Sequence, residues 1–124
     1  MNSLFILLGL LLISSCASTD EGQKVADQLF KLIVEEKFDA AAELIELNPG
    51  ITVDERIAIA ESLGAHQTFG KLVKVKKTIG FNTSIDNGLT TVALPYKLKF
   101  EKGDYATTVT IIDRGNGFKL SSLE

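Results

Sequence analysis

The sequence predicts an α+β domain, with N-terminal helices packed on a curved four-stranded antiparallel meander. Three observations predict it. Apolar residues recur at three- and four-residue spacing between Val25 and Leu63. From about residue 70 they alternate with polar residues instead, the period of a half-buried strand. Three turn signals, Asn87-Gly88, Lys102-Gly103 and Gly115-Asn116-Gly117, then divide the second half into four strands.

The helices follow from local signals. Ser18 and Glu21 have capping-box spacing, in which a hydroxyl accepts from the N3 amide and the acid reaches back. Val25, Ala26, Leu29, Phe30, Leu32 and Ile33 form one apolar stripe. Phe38, Ala41, Ala42 and Ile45 share a face of a second helix, which Asn48-Pro49-Gly50 ends. Thr52 and Glu55 repeat the capping signature. Val53, Ile57, Ala60 and Leu63 then face inward, and Gly64 closes the third helix.

The strands follow from register. A tip at Asn87-Gly88 sets Val75 against Phe100, Ile79 against Tyr96 and Phe81 against Leu94. A tip at Lys102-Gly103 sets Phe100 against Tyr105, Tyr96 against Val109 and Leu94 against Ile111. The last turn sets Ile111 against Leu120. All three place large apolar residues on one face. The other face carries Lys74, Lys76, Lys97 and Lys99 among threonines and serines. Pro95 lies mid-strand, where its missing amide hydrogen predicts a local bend without an inserted residue.

Ahead of this domain stands an apolar run, Leu4 to Ile13, with Gly9 inside it. A membrane span needs about 20 residues, so the run is too short to cross a bilayer and has the length of a secretory signal core. Ser14, Ser15 and Cys16 follow. Ile13-Ser14-Ser15-Cys16 resembles the lipobox of bacterial lipoproteins. That resemblance implies cleavage before Cys16, a diacylglyceryl group on its sulfur and an acyl chain such as palmitate on its new amine. Ala17 in the next position implies sorting to the periplasmic face of the outer membrane. The expected organisation is a signal peptide over 1–15, the lipidated Cys16 and a short tether over 16–21, and one domain over 22–124. The start, Met1-Asn2-Ser3, departs from secretory leaders in having no Lys or Arg.

Several segments carry a second resemblance. They are Phe38-Asp39-Ala40-Ala41, Phe69-Gly70-Lys71, the strand Val92 to Phe100 before Lys102-Gly103, and Val109 to Asp113 with Phe118-Lys119-Leu120. Over roughly residues 22–123 these look like small secreted bacterial domains of unknown function in the nuclear-transport-factor-2-like group, with cystatin-like folds as neighbours. The resemblance implies a cone-like shape, helices closing over the concave face of a bent sheet. It does not choose among isomerases, ligand binders and oligomerisation modules.

Candidate site residues come with competing readings. His66, the only histidine, is either a general base at a pocket mouth or a connector at a helix end. Tyr96 and Tyr105 add hydroxyls to an otherwise apolar lining, and the inward strand positions contain no Asp or Glu. Lys77 is the one charge on that face, with its stem on apolar surface and its head in water.

Lys74, Lys76, Lys97 and Lys99 are a surface for anionic lipid headgroups or a partner protein, or simply a solvated face. The chain's net charge of −3 conceals a net −7 over 16–64 and +4 over 65–124. No phosphate loop, nucleophile elbow, cofactor motif or metal-ligand spacing is present in the sequence. Nucleic acid is not an expected partner, because the basic face lacks interleaved aromatics.

The expected function is therefore a lipid-anchored cell-envelope protein with a binding or assembly domain, pairing through its sheet face with itself or an envelope partner. The alternatives are a small pocket enzyme and a carrier of an apolar ligand. An open cavity holding His66 or a Tyr–acid pair favours the enzyme. A cavity filled by Phe30, Phe81 and Phe100 favours the binding module.

Overall fold

The computed structural model describes residues 20–47, 50–78, 80, 82–86 and 88–123. The leader, Ser18 and Cys16 lie outside the described residues, as do Ile79, Phe81 and Asn87. The architecture is α+β: three helices and a curled antiparallel sheet forming a half-barrel. The helices are α1, whose described residues run 20–34, α2 (Phe38–Ala42) and α3 (Val53–Leu63). The strands are β1 (Ala65–His66), β2 (Gly70–Lys77), β3 (Asn82–Asp86), β4 (Leu89–Phe100), β5 (Gly103–Asp113) and β6 (Phe118–Leu123). Their order is β1-β2-β4-β5-β6, with β3 also on β4.

The sheet thus has six strands where four were expected. Tyr96 pairs with Lys77 and Ala93 with Asn82, so four residues, 78–81, stand against only Leu94 and Pro95. The predicted first strand is thereby split into β2 and β3. Pro95 causes the break in physical terms. Its carbonyl accepts from the Thr78 amide at 3.1 Å, so its hydrogen-less nitrogen faces the same interrupted side. Contrary to expectation, residues are inserted here, but they are two in number. Alternation survives because an even slip returns every side chain to its own face.

Two expected registers shift by two residues, the first through this insertion. Val75 pairs with Leu98 rather than Phe100. Tyr105 also pairs with Leu98, and Phe100 with Gly103, so the tip of the β4–β5 hairpin is Glu101-Lys102. The second shift has its cause in the β1–β2 turn. Its carbonyls at Phe69 and Lys71 accept from the Lys102 and Glu101 amides at 2.8 and 3.0 Å. The pairing of Ile111 with Leu120 is as expected.

The core sits between α1 and the concave sheet face. Leu29, Phe30 and Ile33 meet Leu94, Tyr96, Leu98, Val109, Ile111 and Leu120, all buried. Gly22 lets α1 begin close over the sheet, since a β-carbon there would stand 3.2 Å from Val92. The helix ends in a Schellman motif: Glu36 adopts φ 63°, and Lys37 and Glu36 amides donate to Leu32 and Ile33 carbonyls.

Two helix expectations change. The second helix is one short turn and a half, ending before Ile45. That residue instead bridges in parallel to Leu120, because the Leu120 amide and carbonyl bond to residues 44, 46 and 47. In α3, Thr52 accepts from the Glu55 amide at 3.1 Å as the capping pattern requires. Val53, however, is 65% exposed, since the first turn projects beyond the core. Gly64 caps α3 without a left-handed φ. It is needed for space: a β-carbon would lie 3.0 Å from the Phe38 ring.

Candidate functional site

The most polar cluster against the core joins α1 to the broken end of β2. Tyr96 projects from β4 beneath α1, its ring 5.1 Å from that of Phe30. Its hydroxyl donates to Asp27 Oδ1 at 2.9 Å and accepts from Gln23 Nε2. Gln23 and Asp27 are one helical turn apart and are themselves bonded at 3.2 Å. Lys77, opposite Tyr96, places Nζ 2.9 Å from Asp27 Oδ2. The carboxylate is therefore held by a phenol on one oxygen and an ammonium on the other.

Burial pushes the Tyr96 phenol far above its ordinary range. The hydrogen bond to Asp27 and that residue's charge push the same way, against a smaller opposing effect of Gln23. At neutral pH the phenol keeps its proton and acts as a fixed donor.

This cluster borders a cleft of about 430 Å³ between α1 and β2. Phe30, Val34 and Val75 form its apolar side, and Asp27, Glu35, Lys31 and Lys77 stand among its walls. Its size falls within the ~300–1,000 Å³ of ordinary ligand clefts. The arrangement suits a ligand with an apolar body and polar groups placed against paired charges.

The structure does not bring the three expected pocket residues together. Tyr96 belongs to the α1–β2 cleft, whereas His66 and Tyr105 line a separate cavity at the end of α3. The separation follows from register: Tyr105 pairs with Leu98, two positions nearer the hairpin tip than Tyr96, and Tyr105 is half exposed at 49%. His66 Nδ1 accepts from the Thr68 and Phe69 amides at 3.0 and 3.1 Å, and its ring stacks on Phe69 at 4.5 Å. That nitrogen is occupied in closing the turn.

Lys74, Lys76, Lys97 and Lys99 do form one block on the outer sheet face. Lys74 pairs with Lys99 and Lys76 with Lys97, so like charges stand directly opposite twice. Asp104 lies 3.7 Å from Lys97 and offsets part of this. Directly opposed like charges are destabilising.

Asp27 and Gln23 escaped the sequence reading. The inward strand positions carry no acid, and the acid comes instead from the helix edge. The visible signal was a Gln and an Asp four residues apart beside the apolar stripe. Among the described residues no group of three or more His, Cys, Asp or Glu gathers where it could hold a metal ion. Among them also, no helix is long and apolar enough to cross a membrane. No protein-family model matches the chain, and no curated protein matches it.

Proposed function

We propose that the chain is a lipid-anchored protein of the bacterial cell envelope whose cone-like domain binds a small amphipathic ligand in the α1–β2 cleft. The observation that carries the binding reading is the Asp27 carboxylate, clamped between Tyr96 and Lys77 at the edge of an apolar cleft. A carboxylate so neutralised is a positioned anchor for a ligand's polar group. The interior behind it is filled by Phe30 and Tyr96, so binding is confined to the cleft.

The anchor reading rests on the Leu4–Ile13 run and Ile13-Ser14-Ser15-Cys16. Several acyl chains together give stable attachment, which a single chain does not. Three residues lie between Cys16 and residue 20 of α1, and the four steps along the chain reach at most about 14 Å. On this reading the domain lies close to the outer membrane's periplasmic surface. The lysine block on the outer sheet face then serves as the surface for a second copy or an envelope partner.

Two experiments test the proposal in the full chain. Cys16→Ser is expected to leave an unprocessed precursor that no longer partitions into detergent. Unchanged processing and partitioning would refute the anchor. Native mass spectrometry of protein isolated from its host is expected to show a bound small molecule that Val34→Trp, which fills the cleft, displaces. The same adduct on both forms would refute binding there.

A second reading, a small pocket enzyme, is favoured by the same Tyr96–Asp27 pair. Phenol and carboxylate at 2.9 Å are a donor–acceptor couple beside an open cleft. If the host-derived ligand is chemically altered on the wild-type protein and intact on Tyr96→Phe, the enzyme reading replaces the first.

A further inference from the structure

The second cavity differs in chemistry from the first. It lies where the C-terminal end of α3 meets β4, β5 and β6, and its volume is about 260 Å³. Leu63, Leu98, Phe100 and Leu123 supply an apolar lining, and Tyr105 forms one wall. None of the described side chains around it is charged. A charged ligand would pay a large desolvation cost here without a partner.

The polar groups facing it are few. His66 is the informative one. A neutral imidazole has one donor nitrogen and one acceptor nitrogen. Nδ1 is the acceptor, because two backbone amides donate to it, at 3.0 and 3.1 Å. Nε2 must therefore carry the hydrogen. The ring is also held in place, stacked on Phe69 at 4.5 Å and tilted against Phe100 at 5.6 Å. Ser62, on the same rim, already donates its hydroxyl hydrogen to the Ile59 carbonyl at 2.7 Å. The histidine's remaining hydrogen-bonding capacity is thus one donor, in a rigid ring, on an uncharged apolar cavity.

We propose that this cavity binds a small neutral ligand with an apolar body and a carbonyl-type acceptor, which takes the hydrogen bond of His66 Nε2–H. The turn that locks Nδ1 converts the lone histidine from a base into a donor. This site is independent of the α1–β2 cleft and of the anchor.

The test uses three probes of similar size: acetophenone, ethylbenzene, which lacks the acceptor, and benzoate, which is charged. Histidine ring-nitrogen NMR of the free protein is expected to show the Nε2–H tautomer. Titration is expected to show acetophenone binding about tenfold tighter than ethylbenzene, the worth of one hydrogen bond to an otherwise unpaired donor. Benzoate is expected to bind more weakly than acetophenone. Shifts should fall on Leu63, Leu98 and Tyr105 and leave Asp27 unmoved.

His66→Asn keeps an oxygen able to accept from the Thr68 and Phe69 amides, while its donor, Nδ2, falls where the ring has Cδ2, one bond short of the Nε2 position. In it the preference for acetophenone should vanish. Tyr105→Ala, at a half-exposed position, should weaken all probes several-fold without unfolding the chain. The proposal is overturned by an Nδ1–H or charged imidazole, by equal binding of acetophenone and ethylbenzene, by preference for benzoate, or by shifts confined to the α1–β2 cleft.

Discussion

The Tyr96 hydroxyl donates to Asp27 Oδ1 at 2.9 Å, across 69 residues of chain. This bond ties α1 to the middle of β4 at the point where the neighbouring strand is broken. A buried hydroxyl and a half-exposed carboxylate satisfy each other there, and Lys77 closes the cluster from the sheet edge.

Tyr96→Phe should lower stability by about 1.5–3 kcal/mol, the range for a hydrogen bond to a charged group. The lower part of that range is expected, because Asp27 is 38% exposed and keeps water and Lys77 as partners. Denaturant unfolding of the two proteins measures it.

Alkaline pH should expose the same residue. The folded-state phenol is raised above its unfolded value near 10, chiefly by burial. Above that value the unfolded chain releases the proton while the folded chain retains it. Stability from this group is therefore complete below about pH 10 and falls as pH rises further, by about 1.4 kcal/mol per pH unit. The decline should be shallower by that amount in Tyr96→Phe. Parallel curves would show that Tyr96 ionises freely in the folded state.

Gly103→Ala should destabilise the hairpin end. A β-carbon at 103 would stand 2.7 Å from the Phe69 ring, closer than any relaxed contact. Phe69 would have to leave its stack on His66, at a cost of about 1–3 kcal/mol. In a Phe69→Ala background the same substitution should cost much less, read from thermal midpoints.

Glu36→Gly should stabilise. Glu36 holds φ 63° at the end of α1, a conformation that glycine adopts without a steric penalty. Its exposed ion pair with Lys71, 3.1 Å apart, contributes little. A gain of about 0.5–1 kcal/mol in denaturant unfolding is expected.

Lys76→Glu should stabilise slightly, by a few tenths of a kcal/mol, since it turns the Lys76–Lys97 repulsion into attraction. The gain should fade as salt is raised. A large loss at every salt concentration would mean the lysine face is buried in an interface.

The sequence by itself determined the helix-then-sheet order, the faces of the strands and the outward lysine block. These depend on periodicity, and periodicity is local. It left strand number and register open, because a two-residue slip preserves every face. Only tertiary contacts resolved that slip: Pro95 against the gap at 78–81, and the Phe69 and Lys71 carbonyls on the Glu101-Lys102 tip. The candidate sites divide the same way. Tyr96 and His66 were visible as residue types, but their roles were not. Asp27 reaches Tyr96 only when α1 lies over the sheet, and His66 becomes a donor only when its turn aims two amides at Nδ1. Chemistry of this kind belongs to pairs of residues distant in the chain or bent together in a turn, and folding alone brings them within hydrogen-bond reach.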